Sequence, residues 1–350
     1  MARRVTWAIP GDIATLSGGY AYDRRIIAEL RELGWEVDVV GLGDGFPVPN
    51  LAQKARAEAL LRAMAPGHPI VVDGLAFGAL PEIAARLHRA RPTVALVHHP
   101  LALETGLAAE EAARLEQSER AALASSRYVV ATSRWTADLL ALRFGVAAER
   151  ISVVPPGTDR APWSTGGGPG PLRLISVGAV VPRKGFDILI EALAGLAHLS
   201  WHLAIVGDRR RDAAAVARLD SLIARYGLAR RVDCLGTVSA AHLAELYDRA
   251  DLFVLASQFE GYGMAFAEAL ARGLPIVGTT GGAVSHVVPA AASRLVAPGD
   301  VAALANALRE LLEDGDARRA LAAAARAAAT RLPSWSESAA KFSDLLTLLA

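Results

Sequence analysis

LFVLASQFEGYGMAFAEALARGLPIV, Leu252–Val277, sets a short apolar run against a glycine-rich turn and then an alanine-rich helical stretch. LFVLAS has the length and composition of a buried strand. Gly261 and Gly263 permit a tight turn and a close approach of backbone to a ligand, and a helix is expected from about Met264. The first amides of that helix would lack internal partners and lie at the positive end of its macrodipole, an arrangement suited to a phosphate or a row of sugar hydroxyls. Glu260 before the turn and Glu268 inside the helix flank it with two carboxylates, which accept hydrogen bonds from paired hydroxyls. A glycine turn with exposed glutamates is also a common solvated feature, so the rest of the chain must decide between the two.

On either side of this stretch the same alternation recurs along the chain. In the first half the pattern predicts strands at 3–9, 35–40, 69–73, 93–98, 127–132 and 151–154, with helices near 20–33, 51–65, 81–90, 108–125 and 134–144. Pro155–Leu172, rich in proline, glycine and small polar residues, reads as an interdomain linker. Beyond it strands are expected at 172–178, 201–207, 231–236, 251–257 and 274–279, with helices at 184–197, 213–227 and 239–249. Alternating strands and helices of this kind build parallel sheets covered on both faces. The expected organisation is a Rossmann-like domain over 1–160, a second over 161–332, and a C-terminal helix in 333–350 that crosses back to the first. A ligand would then lie at the carboxyl ends of the strands, in a deep cleft between the two sheets.

Composition narrows the class. The 350 residues carry 37 basic and 36 acidic side chains, a formal net charge of +1 that supplies no global field for nucleic acid. The one cysteine, Cys234, excludes an internal disulfide framework and fits a reducing cytoplasm. The apolar run in MARRVTWAIPGD is too short for a signal core or a membrane span. Lysine occurs only at Lys54, Lys184 and Lys341, so a lysine inside a motif carries extra weight.

Three further segments carry chemistry. VGAVVPRKGFDILIEAL, Val177–Leu193, places Arg183 and Lys184 between a strand and a helix, where adjacent cations can neutralise a diphosphate leaving group. PGDIATLSGGYAYDRRI, Pro10–Ile26, puts Gly18 and Gly19 in a turn before a helix from about Tyr20; no third glycine completes a dinucleotide fingerprint. VALVHHPLALETG, Val94–Gly106, ends a strand at His98 and His99, either of which can polarise a phosphate or donate to a sugar hydroxyl. The pair has no further ligand set at metal-binding spacing, so no metal is expected.

Taken in order, these segments resemble the family-four retaining glycosyltransferases of the GT-B fold. The resemblance runs through the Gly18–Gly19 turn, His98, TSRWTADLL (132–140), VVPPGTD (153–159), the RKG at 183–185, VGD (206–208), LGTV (235–238) and the two glutamates. It implies an enzyme that moves a hexose-type sugar from a nucleoside diphosphate sugar to an acceptor hydroxyl, retains the anomeric configuration, and needs neither metal nor cofactor. Glu268 is then expected to hold the donor ribose. Glu260 and the amides of Gly261, Tyr262, Gly263, Met264 and Ala265 meet the sugar and phosphate. Arg183 and Lys184 take the diphosphate, with Gly178 and Gly18 or Gly19 close to it, His98 lies near the transferred sugar, and Thr237 and Val238 hold the base. Ala179 stands where many relatives have arginine, and Ser285 near where many have glutamate; the cationic clamp therefore rests on Arg183 and Lys184. Two other readings on the same architecture are a nucleotide-sugar 2-epimerase and a non-catalytic nucleotide-sugar-binding protein. The expected acceptor is a small molecule, glycan or lipid, and the expected location the cytoplasm, with peripheral contact at the inner face of the membrane.

Overall fold

The computed structural model describes residues 3–64 and 67–349. The chain folds as two compact units: one runs to Gly157 and is completed by the segment from Pro333 onward, and the other is Thr158–Leu332. Among the described residues no helix is long and apolar enough to cross a membrane.

In the first unit, β1 (Arg3–Ile9), β2 (Trp35–Gly41), β3 (Ile70–Asp73), β4 (Thr93–Val97), β5 (Tyr128–Ala131) and β6 (Ile151–Val153) form a sheet of order β2-β1-β3-β4-β5-β6. Every pairing is parallel. β3 and β4 are buried along their whole length, as strands covered on both faces must be. The order reverses between β1 and β3, so the loops after these two strands diverge and leave a crevice at their carboxyl ends.

The final helix, Trp335–Thr347, belongs to this unit. Its start is fixed by a capping box between Ser334 and Glu337. The Phe342 ring packs 5.0 Å from that of Trp7, and the Trp35 indole N–H donates to Ser343 Oγ at 2.9 Å.

The second unit repeats the plan. β7 (Leu172–Val177), β8 (Trp201–Val206), β9 (Val232–Gly236), β10 (Leu252–Leu255), β11 (Ile276–Thr279) and β12 (Ser293–Val296) form an all-parallel sheet of order β12-β11-β10-β7-β8-β9. Here the order reverses between β7 and β10. Its core is one continuous cluster from Leu174 to Ala328 that includes Phe253 and Phe266, whose rings meet edge to face at 5.3 Å.

Three expectations change. Gly18 and Gly19 do not form a turn ahead of a helix but are its first residues, in Gly18–Glu32, because the Ser17 hydroxyl caps the Tyr20 amide. The boundary between units falls at Gly157–Thr158, shortly before the expected one. The stretch beyond it is no loose linker: Ser164 Oγ donates to the carbonyls of Asp248 and Ala250, and the Gly167 amide donates to Asp251.

Candidate functional site

Both reversal points gather the side chains singled out from the sequence. In the second unit, Arg183 and Lys184 follow β7 in a short 3₁₀ turn, Pro182–Lys184, and Glu260 follows β10. The two loops are stapled through backbone, since the Gln258 amide donates to the Arg183 carbonyl at 2.7 Å. Gly185 ends the 3₁₀ turn at φ +63°, with its Cα so close to β10 that a side chain's first carbon would lie 2.0 Å from the Ala256 carbonyl oxygen. Only glycine meets both demands.

Lys184 Nζ donates to Glu260 Oε1 at 2.7 Å, and Arg183 Nη1 lies 3.5 Å from Oε2 while donating to the Phe259 carbonyl at 2.9 Å. Glu260 is buried at 5% exposure and its backbone is held on both sides: its amide donates to Gly281 and its carbonyl accepts from Ala283. Arg183 and Lys184 thus present two cations to one carboxylate at this partly buried point, where charges are screened weakly.

The helix Met264–Ala271 starts just beyond this carboxylate, with Gly263 as its N-cap in the left-handed region. Its first-turn amides point back toward the turn that carries Gly261 and Tyr262. Burial pushes the Tyr262 phenol up to about 12, so it is a neutral hydroxyl. Glu268, one turn into the helix, accepts from the Tyr247 hydroxyl at 3.2 Å, and the Arg272 guanidinium stacks 4.2 Å over the Tyr247 ring. Burial raises the Glu268 carboxyl above its usual range, with Arg272 and the Tyr247 hydrogen bond acting against that rise. Lys184 is also within electrostatic reach of Glu268, which joins the two glutamates into one constellation. Gly178 lies in it too, directly against the Lys184 stem. Thr237 and Val238 lie apart from it, on the loop after β9, two strands from the reversal point.

In the first unit, His98 follows β4 and its Nε2 lies between two buried carboxylates, 3.4 Å from Asp23 Oδ1 and 3.5 Å from Asp73 Oδ2. Asp73 ends β3, and Asp23 projects from the helix that follows β1, so the two strands flanking the crevice lead into both. Gly19 meets the same ring: a side-chain carbon there would sit 3.2 Å from His98 Cδ2. The Tyr22 ring packs edge-on at 5.2 Å, and its hydroxyl donates to the Val154 carbonyl. Burial alone would lower the imidazole's affinity for a proton, but the two carboxylates outweigh it and push His98 up to about 10. Burial raises Asp23 to about 6 against the opposing pull of His98. His99 points elsewhere, with Nε2 3.4 Å from Glu104 Oε2.

Asp23, Asp73 and Tyr247 were not singled out from the sequence. The signal for Asp23 was present: with Tyr22, Ile26, Ile27 and Leu30 it occupies the buried face of its helix, where an unpaired carboxylate would be costly. The ligand atoms of Asp23, Asp73 and His98 lie within 4.8 Å of one another, a set that can also surround a cation.

The model for glycosyl transferases group 1 matches residues 159–328, and that for Glycosyltransferase Family 4 matches 73–161. A D-inositol 3-phosphate glycosyltransferase of Xylanimonas cellulosilytica is 33% identical over 264 residues, 70% of this chain and 62% of that protein; the chain thus spans about three fifths of that relative's length. An MMP alpha-(1->4)-mannosyltransferase of Mycolicibacterium hassiacum is 30% identical, with 85% of this chain and 74% of that protein matched. Among solved structures, a sucrose-phosphate synthase from Thermosynechococcus elongatus superposes with a TM-score of 0.85 at 22% identity, covering 99% of both chains, which establishes the fold as that of the GT-B enzymes. Both curated relatives are named as sugar transferases, and the 2-epimerase reading is set aside on that ground.

Proposed function

The chain belongs to the glycosyl transferases group 1 family, and on that basis we propose that it moves a hexose-type sugar from a nucleoside diphosphate sugar to an acceptor hydroxyl, retaining the anomeric configuration and using no metal ion. The observation that carries this reading is the cluster of Arg183, Lys184 and Glu260 beside a helix N-terminus at the reversal point of the second sheet.

In the proposed reaction the bond between the anomeric carbon and the β-phosphate oxygen breaks, and negative charge accumulates on the departing diphosphate. Lys184 and Arg183 stabilise that charge, aided by the first amides of the helix from Met264. Only interactions that strengthen as the bond breaks accelerate the step, and cations facing a growing anion behave in this way. The acceptor oxygen bonds to the same face of the sugar as its proton passes to the leaving phosphate oxygen. Fixed cations take the role that a divalent ion would otherwise play at the diphosphate. Glu268 accepts from the ribose hydroxyls and Glu260 from the sugar, and His98 is the residue proposed to donate a hydrogen bond to the transferred sugar.

The acceptor class proposed is a small molecule, glycan or lipid; the inositol phosphate and mannosyl chemistry in the relatives' names makes polyols the first to try. The proposed location is the cytoplasm, with peripheral contact at the inner face of the membrane. A panel of uridine, guanosine and adenosine diphosphate sugars, each incubated with the enzyme and a chelator, tests the reading. The expected result is slow release of free sugar and nucleoside diphosphate from one donor, accelerated by an acceptor polyol. Binding of a donor with neither hydrolysis nor transfer across the panel would return the chain to the non-catalytic class.

A further inference from the structure

We propose that Asp23 and Asp73 form a positioning pair that orients the His98 ring and holds it as an imidazolium, so that its outer edge is always a hydrogen-bond donor. The proposal rests on the reading above only in the use made of that donor.

The geometry is specific to one edge of the ring. Nε2 is buried and faces both carboxylates, whereas the side chain as a whole retains 23% exposure, so the accessible atoms lie on the other side of the ring. A lone pair on Nε2 would point at two anionic oxygens and be repelled, so Nε2 carries a proton in either charge state. The states therefore differ at Nδ1: a neutral ring has a lone pair there, and a cationic ring has an N–H. Sugar hydroxyl and phosphate oxygens both accept from an N–H, and a phosphate oxygen is repelled by a lone pair. Asp23 is the more telling partner, because its side chain is fully buried and its carboxylate is faced by the His98 ring and the Trp7 indole N–H. A buried carboxylate in that condition is costly unless an opposite charge sits beside it. His98 supplies that charge, and the dependence is mutual.

The groups facing the ring come from several elements. Tyr22 and Asp23 lie on the helix Gly18–Glu32, Asp73 on β3, and the Trp7 indole N–H on β1 faces Asp23. The Tyr22 phenol is held neutral by burial, so the two aspartates are the anions of this pocket. Asp73 is further committed through Oδ1, which accepts from the Leu75 amide at 2.7 Å. Asp23 has no such backbone donor, and besides His98 it faces the Trp7 indole N–H.

The test uses the full chain with Asp23→Asn, an isosteric change, and His98→Gln as a reference. Two-dimensional ¹⁵N–¹H spectra of the imidazole report which ring nitrogens carry protons as pH is raised from 6 to 9. The expected result is a wild-type His98 protonated on both nitrogens up to pH 9 and an Asp23→Asn ring that loses Nδ1–H at lower pH. In the transfer assay, Asp23→Asn should lower kcat by about tenfold or more at pH 8.5. Near pH 6 it should approach wild-type kcat as the ring is reprotonated, with the donor KM unchanged. A uniform loss across pH, or a wild-type ring already neutral at pH 7.5, would overturn the proposal. So would stoichiometric binding of Zn²⁺ or Mn²⁺ that Asp23→Asn abolishes, since the cluster would then be a cation site. Full turnover by His98→Gln would remove His98 from the proposed reaction while leaving the spectra to decide its protonation.

Discussion

Lys184 Nζ lies 2.7 Å from Glu260 Oε1, joining two loops 76 residues apart in the chain, and both side chains are largely buried. The contact ties the cation of one loop to the first glutamate of the other before any ligand is considered. Each charge depends on the other, because removing one partner of a buried pair leaves the second uncompensated.

Lys184→Ala removes the closer of the two cations. Turnover should fall by about 10²- to 10³-fold, the usual loss when a preorganised charge donor is deleted. Arg183 still faces Glu260, so the fold should survive with a lowered melting temperature. Steady-state kinetics beside a thermal melt checks both, and near-normal transfer would remove Lys184 from the clamp.

Glu260→Gln keeps the shape and deletes the negative charge that faces the two cations, raising the net charge of the cluster by one. The free nucleoside diphosphate should bind several-fold more tightly while turnover drops, since the sugar loses its acceptor. Calorimetric titration with the diphosphate product reads the first effect; weaker binding would show that Glu260 orders the cations more than it opposes them.

Gly185→Ala meets a backbone oxygen at 2.0 Å and a positive φ together. Neither can be relieved by a side-chain rotation. The expected cost is more than about 2 kcal/mol, in the range of strained backbone substitutions. Denaturant unfolding measures it, and an unchanged midpoint would mean that the loop has moved away from β10.

Glu268→Ala should mainly weaken donor affinity, with a smaller change in kcat. Burial raises the Glu268 carboxyl, and an ionised carboxylate is the better acceptor for ribose hydroxyls. Donor affinity should therefore rise with pH as Glu268 ionises. Tyr247→Phe removes a hydrogen bond that favours the ionised form, so the same rise should be displaced to higher pH. Binding isotherms for the two proteins across pH give the comparison; coincident profiles would contradict the ribose role.

Glu119 offers a test of stability alone. Burial pushes its carboxyl up to about 8, against a hydrogen bond from the Leu101 amide. A folded-state value above the unfolded one means that the protonated acid stabilises fully at pH below about 4.5 and that this contribution is lost as pH rises through 8. Glu119→Gln retains an acceptor for Leu101 without the ionisation. It should melt higher than wild type at pH 9 and nearly equal to it at pH 4.

The sequence was most legible where one local pattern controls one element. LFVLAS, VALV and RLISV could be read as strands because a parallel strand covered on both faces must be apolar throughout. Glu260 and Lys184 stood out because each follows a strand and borders a glycine, Arg183 as the cation beside Lys184, and Glu268 as the second carboxylate inside the helix after the same turn. The Gly18–Gly19 segment was misplaced because its outcome depends on whether the Ser17 hydroxyl reaches the Tyr20 amide, which glycine content does not reveal. β12 and the helices Val301–Glu313 and Gly315–Ala329 were left unassigned, although each helix carries a regular buried face, Leu304, Leu308 and Leu311 in the first and Leu321, Ala325 and Ala328 in the second. Asp23 and Asp73 were missed for a different reason. Their meaning lies in a shared neighbour, His98, and only the sheet order brings the three together.

The helix Trp335–Thr347 completes the unit that β1 begins, so the second unit is an insertion within the first. Trp7 and Trp35 meet Phe342 and Ser343 only after the whole of Thr158–Leu332 has been synthesised. Domains generally fold as units while the chain emerges. On the ribosome, the half of this protein that is started first is therefore the half that is finished last, and a chain ending before Pro333 would have every strand of the second sheet and a first unit in which Trp7 lacks the Phe342 ring.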